Sequence, residues 1–392
     1  MSIVDRWLLP DGVEDILPSQ AKRVEEVRRK LLDLFSTWGY DYVIPPMIEY
    51  IESLLTGTGR DLDLKTFKIV DFMTGRTMGV RADMTPQVAR IDAHSLNSEG
   101  VTRLSYAGTV IQTQVDSMLA NRTPLSVGAE MFGDSTSKAD IEIVSLMIES
   151  LKSLGFEEVH VDLGNVDIFR QLMSEFSLHA DYQEMLHEAV QRKSIPEIVV
   201  HCQAAGLSEN DSFLLSQLPG LTGNTSVLDR ARSLFKGHDG IVTSIENLQQ
   251  VADSISMRFT NLKIYFDLSE LRGYAYHTGI VFAAYLNGSR SLVAKGGRYD
   301  GIGKVFGRDA RGATGFSIDV KSLAQKVLTT EGLPKCVWVV DVPSGAEYSL
   351  WQRIQQLRLD GFTVVESGQP DGFDYRLEFH NDQWQLLSGE IQ

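Results

Sequence analysis

Apolar residues recur with a helical period soon after the amino terminus. Ala21, Val24, Val27, Leu31, Leu34, Phe35 and Trp38 share one face, with Ser19 as the expected N-cap and Gly39 where a left-handed C-cap belongs. Residues 40–44 then read as a strand halted by Pro45-Pro46, and β-like runs continue as far as Gly133. A second helix is expected over 139–154, stopped by Gly155, followed by a strand over 159–163. From 166 to 257 short helical patterns alternate with Pro196, Gly206, Pro219-Gly220 and Gly237, which predicts an all-helical insertion. Strand signals resume over 263–268, and the runs 280–286 and 291–294 predict a hairpin turning at Asn287-Gly288. A strand over 313–318 and a helix over 319–328 close a main unit, 1–330. A small unit, 331–392, reads as strand 335–342, helix 344–359, strand 362–365, and strands 375–379 and 384–387 joined across Asn381-Asp382. Mainly antiparallel strands with segregated helices predict an α+β fold.

Composition narrows the function classes. No stretch approaches the roughly 20 apolar residues of a membrane span, and no basic start leads into an apolar run, so a cytoplasmic protein with no membrane partner is expected. Cys202 and Cys336 are too few for a disulfide framework or a cysteine zinc site. The net charge of −15 opposes phosphate backbones and argues against a nucleic-acid partner.

Motifs for metal or nucleotide chemistry are missing. The histidines form no HExxH pattern, and His179 and His187 are too far apart for one helical turn. No glycine-rich phosphate loop links a strand to a helix, so neither metal nor cofactor is expected. Two segments are less ordinary. In Lys295-Gly296-Gly297-Arg298-Tyr299-Asp300-Gly301 the glycines fit a tight bend, or a close backbone approach to a ligand with Arg298 beside an anionic group. Leu271-Arg272-Gly273-Tyr274-Ala275-Tyr276-His277-Thr278-Gly279 packs an Arg, aromatics and a His between apolar strands. It fits a surface turn, or a pocket wall in which Arg meets a carboxylate and Tyr a planar ring.

Taken together, these pieces resemble the class II aminoacyl-tRNA synthetase core, specifically the histidyl type, over 8–323. Trp38-Gly39-Tyr40 through Pro45, Pro46 and Glu49-Tyr50 resembles motif 1, the helix, strand and Pro of the dimer interface. Arg81-Ala82-Asp83-Met84-Thr85 resembles the amino-acid-binding loop, and Arg103-Leu104-Ser105-Tyr106 through Gly128-Ala129-Glu130-Met131-Phe132-Gly133 resembles motif 2. Residues 272–278 resemble the histidine signature, 296–301 the glycine-rich strand after it, and 315–323 motif 3. The resemblance implies a histidine-like effector pocket. In it Glu130 receives the imidazole or amino group, Arg272 faces the carboxylate, Tyr276 contacts the ring and Thr85 is retained. Asp83 stands for a longer Glu, His277 for a tyrosine and Ser126 for a glutamine.

The same resemblance implies that adenylation is lost. Gln112 and Ser322 stand where arginines clamp ATP, and the carboxy-terminal unit is shorter than an anticodon-binding domain. The Arg-Gly-Tyr-x-Tyr-His-Thr-Gly segment is most similar to the synthetase-like regulatory subunits that partner a short-form ATP phosphoribosyltransferase. That implies a non-catalytic homodimer within a hetero-oligomer, which activates the catalytic subunit and relays inhibition by histidine. The alternatives are an active histidyl-tRNA synthetase, or a synthetase-like module binding tRNA or an amino acid.

Overall fold

Pro18–Thr37 forms the first long helix, and its start is set differently from expectation. Leu17 is the N-cap, and Pro18 supplies a pre-set φ in the first turn, so Ser19 lies inside the helix. Gly39 then adopts φ +81° and turns the chain into the first strand, as its position suggested. The structure, a computed structural model, describes residues 7–56, 60–114, 121–287, 292–307, 309–327, 335–370 and 372–388. They form two compact units, Met1–Val327 and Leu328–Gln392.

In the first unit the strands are β1 (Asp41–Val43), β2 (Ile48–Tyr50), β3 (Phe67–Val70), β4 (Thr77–Val80), β5 (Thr102–Thr109) and β6 (Leu125–Phe132). They continue with β7 (Val159–Asn165), β8 (Thr222–Gly223), β9 (Lys263–Asp267), β10 (Ile280–Leu286), β11 (Leu292–Arg298) and β12 (Ala313–Asp319). Nine of them build one sheet in the order β1-β5-β6-β12-β11-β10-β7-β9-β8, while β2, β4 and β3 form a small antiparallel sheet. Only the β1–β5 and β7–β9 pairs of the large sheet are parallel; the rest are antiparallel, in keeping with the expected α+β class. Asn287 of the expected Asn287-Gly288 turn follows β10, Gly288 and the rest of 288–291 lie outside the described residues, and the ladder carries a bulge between Ala284 and Tyr285.

Side-chain alternation gives the large sheet two different faces. Val127, Ala129 and Met131 of β6, with Phe316 and Ile318 of β12, join the main core under Pro18–Thr37 and Ser137–Ser153. Phe35 meets Phe316 edge to face at 5.7 Å. Ser137–Ser153 buries Ile143, Val144, Leu146, Met147, Ile148 and Leu151 completely. Leu104 and Tyr106 of β5 and Phe132 of β6 join a second cluster with Met84, Val88 and Tyr299.

Two regions depart from the sequence reading. Between 51 and 96 the expected β-like runs are interrupted by helices: Ile51–Leu54, Arg60–Lys65, and Thr85–Arg90 running on into a π-helical turn, Ile91–Leu96. Pro86 in the first turn starts the Thr85–Arg90 helix, and Met84, Val88 and Ala89 are spaced to bury one side of it. Between 166 and 258 the helices include the short strand β8, which pairs with Phe266 and Asp267 of β9.

The second unit has β13 (Cys336–Val339), β14 (Thr363–Val365), β15 (Tyr375–His380) and β16 (Gln383–Ser388) in the order β14-β13-β15-β16. Its helix, Glu347–Leu359, begins later than expected because Gly345 turns the chain at φ +88°. Asn381 and Asp382 take φ of 48° and 59°, as a two-residue hairpin with right-handed strand twist requires. The helix after β12 is limited to Val320–Ala324, capped by the Asp319 side chain on Lys321 N–H; residue 328, the end expected for it, lies outside the described residues.

Candidate functional site

On the sheet face away from the long helices, strand glycines leave a floor over which polar side chains cross. Glu130 pairs with Gly315 across β6 and β12, and a Cβ on Gly315 would lie 1.5 Å from Glu130 Oε2. A Cβ on Gly128 would lie 2.4 Å from the Tyr106 hydroxyl oxygen. Glycine stands at both places because another residue's polar group occupies the space.

Glu130 is 1% exposed and accepts three hydroxyl hydrogen bonds. Thr85 Oγ1 donates at 2.8 Å, Tyr106 OH at 3.1 Å, and Tyr299 OH donates to the other carboxylate oxygen. Burial pushes its pKa up to about 8, and the nearby Asp83 charge adds to the rise, while the three hydroxyls pull the other way. A cation placed beside it would favour the ionised carboxylate. Tyr106 and Tyr299, fully buried donors, were absent from the expected pocket. Their signal was local: Tyr106 shares the strand face of Leu104, and Tyr299 follows the double glycine.

The remaining expected pocket residues fall into two groups. Thr85 begins a helix, and its N–H is held by Asp83 Oδ1 at 2.9 Å. Tyr276 and His277 lie with their ring centroids 4.2 Å apart. Tyr276 is 38% exposed as a whole residue, and its hydroxyl is held above its usual range by desolvation and then by the charges of Asp83 and Glu130. His277 is buried, its Nδ1 is 3.1 Å from the Arg272 carbonyl, and burial lowers its pKa to about 4, so its ring is neutral at neutral pH. Arg272 is engaged elsewhere. Its Nη2 and Nε lie 2.6 and 2.9 Å from Glu270 Oε2, and its Nη2 reaches Tyr285 OH at 3.3 Å.

Asp83, Gln112, Ser126 and Ser322 line an adjoining cleft of about 630 Å³, together with Lys295 and Lys321. Gln112 Nε2 donates to the Ala82 carbonyl at 3.2 Å, and Ser322 Oγ donates to Asp319. Lys321 Nζ donates to Thr123 Oγ1 at 3.2 Å. The side chains of Gln112 and Ser322 are therefore neutral and bonded to the protein itself.

Arg298 corrects one reading. Rather than standing beside an anionic ligand, it is buried against Asp140 at 2.9 Å and Asp300 at 3.0 Å, and it also donates to the Asp134 and Thr136 carbonyls. Side-chain alternation along β11 puts it on the helix side of the sheet. Among the described residues no three His, Cys, Asp or Glu side chains gather as a metal site, and no helix is long and apolar enough to cross a membrane.

Comparison with known proteins agrees with this architecture. The histidyl-tRNA synthetase family model matches residues 12–323. An ATP phosphoribosyltransferase regulatory subunit from Ectopseudomonas mendocina is 45% identical over 395 residues, covering 98% of this chain and 99% of that one. A solved ATP phosphoribosyltransferase regulatory subunit/histidyl-tRNA synthetase from Bacillus halodurans superposes with TM-score 0.79 at 26% identity, over 92% of each chain. Histidyl-tRNA synthetase from Nostoc sp. PCC 7120 shares the fold at TM-score 0.76 and 15% identity, over 95% of this chain and 91% of that one. On this end-to-end similarity the chain belongs to the family of ATP phosphoribosyltransferase regulatory subunits, built on the histidyl-tRNA synthetase fold.

Proposed function

We propose that this chain is a non-catalytic regulatory subunit that activates a short-form ATP phosphoribosyltransferase in the cytoplasm and relays feedback inhibition by histidine. The observation that carries the non-catalytic reading is the cleft wall at Gln112 and Ser322. A class II synthetase needs fixed positive charge there, and these side chains are neutral and hydrogen-bonded to Ala82 and Asp319. Losing one preorganised electrostatic donor costs ~10²–10³ in rate, so losing two independently costs ~10⁴–10⁶. Lys321 restores a charge but not the planar fork of a guanidinium.

The neighbouring carboxylate pocket is partly retained, with Glu130 and Thr85 in place and Asp83, Ser126 and His277 as replacements. Glu130 with its three hydroxyl donors suits the cationic end of histidine, with Tyr276 and His277 nearby for the ring. Binding without adenylation turns a substrate site into a sensor, and histidine then acts through unequal affinity for two states of the complex. Such coupling typically amounts to ~1–3 kcal/mol.

The test is the phosphoribosyl-transfer rate of a short-form catalytic subunit, titrated with this chain with and without histidine. A saturable increase that histidine reverses is expected; an unchanged rate with a competent partner overturns the reading. Histidine-dependent ATP–pyrophosphate exchange by this chain alone would instead mark it as a synthetase.

A further inference from the structure

The segment 271–279 carries Tyr276 and His277 yet belongs to no helix or strand, so something outside regular structure must hold it. Its internal backbone bonds are few: Tyr274 N–H donates to the Leu271 carbonyl at 3.0 Å, and Tyr276 N–H and His277 N–H both donate to the Gly273 carbonyl, at 2.9 and 2.8 Å, around a φ of +69° at Gly273. The carbonyls of Tyr274 and His277 are left over, and one nitrogen of Arg170, Nη2, donates to both, at 2.9 and 2.7 Å. The same guanidinium lies 4.7 Å from the Tyr274 ring centroid. That ring is also met edge to face by Phe169 at 5.4 Å and stacked by His187 at 5.0 Å. Phe169 and Arg170 are on the helix Val166–Glu175, and His187 is on Ala180–Gln191. The segment is thus fastened to two helices of the insertion.

We propose that Arg170 is a positioning residue for the effector pocket, holding the 271–279 segment in its binding conformation and linking the insertion helices to histidine binding. This rests on the pocket reading above. A guanidinium suits the task because one planar group can bridge two carbonyls and lie on an aromatic face at once. Without it the segment populates its binding conformation for a smaller fraction of the time, and apparent affinity falls by that fraction. Because the link has two ends, histidine seated against His277 also favours one placement of the Val166–Glu175 helix.

The experiment compares wild type, Arg170→Met and Arg170→Lys by calorimetry with histidine and by amide hydrogen exchange without ligand. Arg170→Met should bind histidine ~10–100-fold more weakly. Exchange at Tyr276 and His277 should quicken ~10-fold or more, with the β6 and β12 amides unchanged. Arg170→Lys should recover part of both effects, which a general packing defect would not, and it replaces Arg170→Met if that variant does not fold. Half-inhibition by histidine should move with the affinity. Unchanged affinity and unchanged exchange in Arg170→Met overturn the assignment. If wild type binds no histidine, the pocket reading fails by itself. Quickened exchange at Tyr276 and His277 then still supports the positioning role, and wild-type exchange refutes it.

Discussion

At the residue scale the chemistry centres on a buried carboxyl whose pKa folding raises. The ordinary pKa of Glu130 is 4.5, and in the folded chain it rises to about 8. The unfolded chain therefore gives up this proton near pH 4.5 while the folded one keeps it. The contribution to stability is present at low pH and is lost as pH rises toward 8. Relative to Glu130→Gln, wild type should lose unfolding free energy between pH 5 and 8, with a limiting slope of about 1.4 kcal/mol per pH unit. Urea denaturation at three pH values checks this, and parallel curves for the two proteins would count against it. The facing glycine is the second test. Gly315→Ala drives a methyl group into the Glu130 carboxylate, so it should cost ~1–3 kcal/mol, read as a lower urea midpoint at constant slope.

At the element scale, Ser137–Ser153 is fastened to the sheet by an ion pair as well as by its apolar face. Asp140 in its first turn is buried against Arg298 at the end of β11, and burial lifts the Asp140 pKa to about 6 even with that partner present. Arg298→Met removes the cation and leaves the carboxylate buried. At pH 8 this should cost ~3–5 kcal/mol, as is usual when one partner of a buried pair is removed. The loss should shrink toward pH 5, where Asp140 takes up a proton. Chemical denaturation at both pH values separates this from a simple packing defect, whose cost would not depend on pH.

At the scale of the whole molecule, apolar side chains are exposed between β1 and the turn after β3. Ile44 is 76% exposed and Phe72 99%, with Tyr42, Met47, Ile48 and Val70 also open to solvent. Contiguous exposed apolar patches are a usual feature of interaction surfaces. We propose that a second copy of the chain covers them, in the region that resembles motif 1. The double variant Ile44→Glu, Phe72→Glu should sediment as a monomer, with an unchanged far-ultraviolet spectrum, where wild type sediments as a dimer. A monomeric wild type would remove this element of the proposal.

The architecture was legible in the sequence because it rests on local, repeated signals. A helical period from Ala21 to Trp38, Gly39 as a terminator and Asn381-Asp382 at a two-residue turn each state a backbone requirement within a few residues. Ordered motif segments then carried the fold and the family, and Glu130 with them. Long-range contacts stayed out of reach. Nothing in the run from Lys295 to Gly301 distinguishes Arg298, turned to the helix side of the sheet, from a ligand-binding arginine. Only the placement of Asp140 beneath β11 decides it. Tyr106 and Tyr299 lie far apart in the chain and meet only because β5 and the end of β11 bring both hydroxyls to Glu130. Arg272 could be named from its motif, but its pairing with Glu270 depends on how the segment folds back on itself. Periodicity and turn chemistry act over one turn or one hairpin, whereas a buried charge finds its partner across the whole fold.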